Sequence, residues 1–256
     1  ADIATIAPII AIPTTAGTGS EVGRAGVVTN EATGRKIIVS HSRMMPTVVI
    51  ADPELTVGLP RFLTVGTGLD ALAHSLEAIC TLDHHPMAQG IGMEGCRLVL
   101  EHLPTAADSP NDLHARSQML TAASMGAVAF QKGLGAIHAL SHPVGATFDT
   151  HHGTTNATFM PYVLLANRPA IESTIDRLAA YTGVPGGFEG FVDHVVELRA
   201  SLDVPHTLID LGVDPTAIDT IVADAVIDPT AFTNPVPVDT EYAAAVFEAA
   251  CAGRLG

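Results

Sequence analysis

GLGAIHALSHPVGATFDTHHG (133–153) and GTGLDALAHSLEA (66–78) set acidic and imidazole side chains at helical spacing. Asp70 and His74 are four residues apart, which on a helix puts both on one face, about 6 Å apart at Cβ. His138 and His142 repeat that spacing, and His152 stands beside Gly153, where a turn can aim it back. If the two segments converge, Asp70, His74, His138 and His152 form a cage of one carboxylate and three imidazoles. Such a set suits a borderline divalent ion, Fe²⁺ or Zn²⁺. No thiolate belongs to the pattern, which argues against a structural zinc site. An Asp–His pair alone is more often a structural feature of a helix. Four histidines within 138–152, interleaved with Gly, Ala and Pro, shift the balance towards chemistry. His84–His85 beside Pro86 read as surface residues, as do His41, His102, His114, His194 and His206, and His151 reads as pointing away.

Around these segments the chain changes character. PIIAIP (8–13), AGVVT (25–29), KIIVS (36–40) and TVVIAD (47–52) read as strands, with NEATGR (30–35) as the turn of a hairpin. From Pro60 a 3.6-residue period takes over. It predicts helices near 60–80, 86–103, 110–132, 136–147, 154–166, 169–182, 187–202, 215–227 and 239–253, with Pro86, Pro169 and Pro215 at helix starts. The expected class is mainly α with a small N-terminal β portion, and the boundary falls near 53–60. The strand-rich piece is too small to be a complete domain.

Composition bounds the partners. The chain has 256 residues, 47% of them hydrophobic, and a net charge of −15. That size supports a packed core. The charge argues against nucleic acid and anionic membrane as partners. Three isolated cysteines make no disulfide framework and fit a reducing, cytoplasmic setting. No apolar run is long enough to span a membrane. ADIATIAP at the start is not a signal peptide, and the absence of Met at residue 1 leaves the true beginning open.

The glycine strings are ambiguous. GTGLDA (66–71) matches GxGxxA but follows a helix-like stretch, not a strand, so it fails as a dinucleotide fingerprint. AGTGSEVG (16–23) does follow a strand. Its backbone N–H groups and the nearby Thr14, Thr15, Thr18 and Ser20 are able to hold a phosphate or ribose, and a solvated turn is an equal reading.

PTTAGTGSEV (13–22), DPELT (52–56), the 66–78 segment and GLGAIHALSHPVGATFDTHHGTTNA together resemble the iron-containing alcohol dehydrogenase family across nearly the whole chain. The resemblance implies an N-terminal α/β dinucleotide-binding domain and a C-terminal helical domain of the dehydroquinate synthase-like kind. Residues 1–56 would be the last strands of the first, and 57–256 the whole of the second. It implies Asp70, His74, His138 and His152 as metal ligands, with iron expected and zinc the alternative. It implies His142 beside the nicotinamide in proton transfer, and Thr14, Thr15, Thr18 and Lys36 on NAD or NADP. The family's GGGS pyrophosphate loop would lie upstream of residue 1.

The expected activity is metal-dependent hydride transfer between a small alcohol, or its aldehyde or ketone, and NAD(P), in a homo-oligomer. Maleylacetate reductase-like and glycerol dehydrogenase-like activities are neighbouring alternatives. A non-catalytic metal-binding fragment or partner domain is a reading of another class. Metal-dependent hydrolysis is a third, without a general-base carboxylate to support it.

Overall fold

The computed structural model describes residues 6–31 and 35–255. Four strands come first, β1 (Ile10–Ala11), β2 (Ala25–Asn30), β3 (Arg35–Ser40) and β4 (Val48–Val49). Eight helices follow: α1 (Arg61–Cys80), α2 (Pro86–Asp108), α3 (Leu113–Ala129), α4 (Ala136–Phe148), α5 (His152–Thr182), α6 (Gly187–Ser201), α7 (Ile218–Val226) and α8 (Thr240–Ala252). The chain is thus mainly helical with a small strand-rich start, as its periodicity predicts.

β2 and β3 pair antiparallel in the expected hairpin, Thr29 opposite Lys36. The centre of its turn, 32–34, and the Lys36 side chain lie outside the described residues, as do residues 1–5 at the start. β1 and β4 pair in parallel over two residues each, far shorter than the apolar runs 8–13 and 47–52 predict. A strand with one neighbour has few ladder bonds to propagate it, and Ile10, Ile12, Val48, Val49 and Ile50 stay exposed.

α1 is the axis of the helical part and packs against α2, α3 and α5. Its residues are buried almost all round from Thr64 to Cys80, as expected of a helix enclosed by others. Leu69, Leu72, Leu76 and Ile79 are no more than 2% exposed, each stabilising the fold by roughly 1.5–3 kcal/mol. Lys132 closes the C-terminal end of α1, donating to the carbonyls of Ala78 and Thr81 at 3.2 and 2.8 Å.

Several helix boundaries differ from the sequence expectation, and the α-helix expected from Pro215 starts at Ile218 after a 3-10 turn. The predicted helices 154–166 and 169–182 are one helix, α5, which runs through Pro161 and Pro169. α2 continues past 103 through Pro104 to Asp108. α3 begins at Leu113, not 110, because Asp112 caps it by accepting from Ala115 N. Pro161 removes the N–H that would bond the Ala157 carbonyl. The Arg199 guanidinium from α6 takes its place, donating to Ala157 O at 3.4 Å and Thr158 O at 2.8 Å.

The segment 14–19 docks on the helices. Ala16 is buried, and Gly19 has φ +65° with the Ala123 carbonyl 2.2 Å from where a Cβ would stand. Only glycine satisfies both demands. The strings AGTG and GTG are therefore close-packing devices in this fold.

Candidate metal centre

α1 presents Asp70, His74 and Glu77 on one buried stripe. α4 presents His138 and His142. After α4, Asp149 takes a left-handed conformation, φ +53°, and reverses the chain. His151 then caps α5, accepting from Thr154 N, and His152 is the first helical residue. Gly66 and Gly153 let α5 begin against α1, since a Cβ on Gly153 would lie 2.0 Å from the Gly66 carbonyl. That contact sits one turn before Asp70 and next to His152, and it draws the two together.

The convergence is tight. Asp70 Oδ1 stands 3.5 Å from His152 Nε2, 3.6 Å from His74 Nε2 and 3.7 Å from His138 Nε2. These separations exceed a normal hydrogen bond. They match donors sharing one ion, since bonds of roughly 2.1 Å in a tetrahedral arrangement put ligand atoms about 3.4 Å apart. Asp70, His138 and His152 offer donor atoms all within 4.8 Å of one another, a group able to hold an ion. His74 stands beside this group, its ring stacked on His138 at 4.7 Å, and its Nδ1 is buried without a hydrogen-bond partner. Donor set and spacing together fit a divalent metal.

Electrostatics divide the four. Burial opposes the Asp70 charge, but His74, His138 and His152 overcome it and hold the carboxyl well below its usual range. Burial lowers His74 to about 4 against the pull of Asp70, and lowers His152 to about 3 with the neighbouring imidazoles adding to the effect. Burial works the same way on His138, but Glu77 and Asp70 outweigh it and raise that ring to about 9. Asp70 charged with His74 and His152 neutral is the protonation state that metal ligation requires, whereas His138 must give up a proton to join them.

Sequence reading missed three residues here. Glu77 Oε2 accepts from His138 Nδ1 at 2.5 Å, and Oε1 accepts the Ile137 N–H at 2.7 Å. One carboxylate thus caps α4 and turns Nε2 of His138 inward. Asn156, one turn after His152, places Nδ2 2.8 Å from Asp70 Oδ1, 3.1 Å from His152 Nε2 and 3.2 Å from His138 Nε2. Asp228 Oδ2 accepts from His142 Nδ1 at 2.8 Å, while Oδ1 accepts from Thr230 N and Oγ1. The His142 ring stacks on His152 at 5.5 Å. The outer side of the centre is open, with the side chains of His142 39% and His152 43% exposed.

Thr14, Thr15 and Thr18 are exposed on the docked segment, and the Gly17 backbone between them lies beside the His74 ring. His85 is exposed, as expected, and both it and His41 also cap helical turns by accepting backbone N–H bonds. His206 accepts a hydrogen bond from Arg199 at 2.7 Å. No helix among the described residues is long and apolar enough to cross a membrane.

Comparison with known proteins agrees with this architecture. Residues 64–251 match the C-terminal part of the Fe-containing alcohol dehydrogenase family, and residues 1–53 match iron-containing alcohol dehydrogenase. The chain is 39% identical to 4-hydroxybutyrate dehydrogenase of Cupriavidus necator over 238 residues, 90% of this chain and 62% of that protein. A crystal structure of 1,3-propanediol oxidoreductase superposes with a TM-score of 0.92 at 35% identity, over 95% of this chain and 66% of the other. Sulfoacetaldehyde reductase from Bifidobacterium kashiwanohense, solved in complex with NAD⁺, gives 0.88 at 29% identity, over 95% and 64%. The chain spans less than two thirds of the curated relatives' length. On these matches, the chain belongs to the Fe-containing alcohol dehydrogenase family.

Proposed function

We propose that this chain carries the metal centre of an NAD(P)-dependent alcohol dehydrogenase. Asp70, His74, His138 and His152 hold the ion, Fe²⁺ first and Zn²⁺ second. The observation that carries this is a single buried carboxylate oxygen with three imidazole nitrogens 3.5–3.7 Å from it. The ion and cofactor, when bound, supply Lewis acidity and a hydride acceptor for a small alcohol. Residues 57–256 serve the metal and substrate, and residues 1–56 serve the nucleotide through Thr14, Thr15, Thr18 and Lys36.

The chain's own groups do the rest. Asp228 fixes Nδ1 of His142 as a donor, which leaves Nε2 as a proton acceptor at the open side of the centre. Glu77 does the same for His138, leaving its Nε2 as a ligand. The buried walls around Asp70 keep water from the inner donors.

The test is elemental analysis of protein purified anaerobically, with oxidation of ethanol, butanol and 4-hydroxybutyrate assayed in parallel. One equivalent of metal in the wild type, lost in His138→Ala together with turnover, is the expected result. A variant with full metal content and rate sinks the ligand assignment. A second reading is metal binding without catalysis. NADH fluorescence decides between them: tight binding by this chain alone rules out the second.

A further inference from the structure

We propose that the buried guanidinium of Arg116 binds a small monatomic anion, a halide, in a cavity beneath the segment 14–19. None of the metal-site residues lines that cavity.

Arg116 stands in the first turn of α3 and is 3% exposed. A guanidinium carries five N–H donors. Nε donates to Pro110 O at 3.0 Å and Nη1 to Thr64 Oγ1 at 3.1 Å. The second N–H of Nη1 and both on Nη2 meet no protein acceptor among the described residues, and no carboxylate pairs with the group. Burial lowers its pKa, with no acidic neighbour holding it up. A cation taken out of water ordinarily has a partner of opposite charge. Arg199, equally buried, differs in using both terminal nitrogens, on the Ala157 and Thr158 carbonyls and His206.

Arg116 and Thr64 border a cavity of about 10 Å³ whose other walls include Ala16, Leu59, Ala106 and Met119. That is room for one water-sized guest, which excludes phosphate, sulfate and carboxylates. Cavities that stay empty are apolar, and a guanidinium on the wall calls for an occupant. The donors on offer are the unused N–H groups and the Thr64 hydroxyl, whose proton otherwise makes only a long bond of 3.4 Å to Leu59 O. The hydroxyls of Thr56 and Thr67, also on the wall, are committed to Pro53 O and Leu63 O at 2.8 Å. A water molecule would leave the charge unpaired and would have to place two hydrogens of its own. A halide accepts from every free donor at once and cancels the charge. Ala16 seals the site from the side of the docked segment, so an occupant ties that segment to α1 and α3. The net charge of −15 repels anions at long range, so occupancy is expected to rise over the millimolar range.

Thermal unfolding in sodium chloride, sodium bromide and sodium gluconate, at one fixed ionic strength, tests this. Chloride and bromide are expected to raise Tm by about 2–4 °C over gluconate, which is too large for the cavity. Arg116→Met is expected to abolish the difference. Thr64→Val keeps the side chain's shape, removes the hydroxyl and is expected to reduce it. Crystals grown in bromide are expected to show an anomalous peak beside the Arg116 guanidinium. Equal Tm in the three salts overturns the proposal. So does a halide effect that persists undiminished in Arg116→Met, which would place the anion elsewhere, and so does a bromide crystal with only water in the cavity. If Arg116→Met fails to fold, Thr64→Val and the bromide peak decide by the same criteria.

Discussion

Glu77 and His138 are joined at 2.5 Å, carboxylate oxygen to Nδ1, across the interface between α1 and α4. The same carboxylate caps the helix that carries the histidine, so ring orientation and helix start are set by one side chain. Glu77→Gln keeps the shape but is expected to disturb both tasks, since an amide presents one acceptor where the carboxylate presents two. Loss of such an outer partner typically weakens metal affinity about 10–100-fold. Chelator competition with Zn²⁺ reads this directly, and unchanged affinity would remove Glu77 from the centre.

Much of this arrangement was open to inspection before folding. The 3.6 period placed α1, and the spacings 70/74 and 138/142 put each pair on one face of its helix. Glu77 continues the first of these stripes at three residues beyond His74, and Asn156 stands four beyond His152, so each carried a local signal. Asp228 carried none. It meets His142 across 86 positions, and only tertiary packing makes that contact. α5 reads as two helices in the sequence because Pro169 looks like a helix start and so implies an end to the helix before it, whereas the helix runs through. At Pro161 a distant arginine supplies the missing donor, which no local pattern announces.

The approach of α5 to α1 predicts an asymmetry between two glycines. A Cβ on Gly153 meets the Gly66 backbone carbonyl at 2.0 Å, and a Cβ on Gly66 meets the His151 ring at 2.4 Å. A side chain is able to rotate away and a helix backbone is not. Gly66→Ala is expected to cost about 1 kcal/mol and Gly153→Ala about 3 kcal/mol or more. Urea denaturation measures both, and equal costs would contradict the backbone contact.

Asp228 predicts a pH dependence. Burial raises its carboxyl, but hydrogen bonds from His142 and Thr230 outweigh that and hold it below the ordinary value. A depressed carboxylate contributes stability above its unfolded pKa, about 3.9, and loses it as pH falls through the folded value. Asp228→Asn removes that contribution. The stability gap between wild type and variant is therefore expected to be widest near pH 7 and to close below about pH 4. A gap that stays constant on acidification, followed by denaturant titration at each pH, would show that the carboxylate charge is irrelevant.

Arg199 is 2% exposed, and among the described residues its hydrogen bonds go to the Ala157 and Thr158 carbonyls and His206, not to a carboxylate. Burial lowers its pKa, as it must for a desolvated cation, with the Tyr162 ring beside it countering in part. A buried charge is tolerated here because Pro161 leaves α5 short of a donor and the guanidinium supplies one. Arg199→Met is expected to cost about 2–3 kcal/mol, the loss of charged hydrogen bonds plus an orphaned carbonyl. The decisive comparison is in a Pro161→Ala background. There the restored N–H at 161 closes the Ala157 carbonyl within the helix, and the cost of Arg199→Met should fall by about 1 kcal/mol. If the two substitutions instead add without coupling, the arginine is holding something other than the break at Pro161.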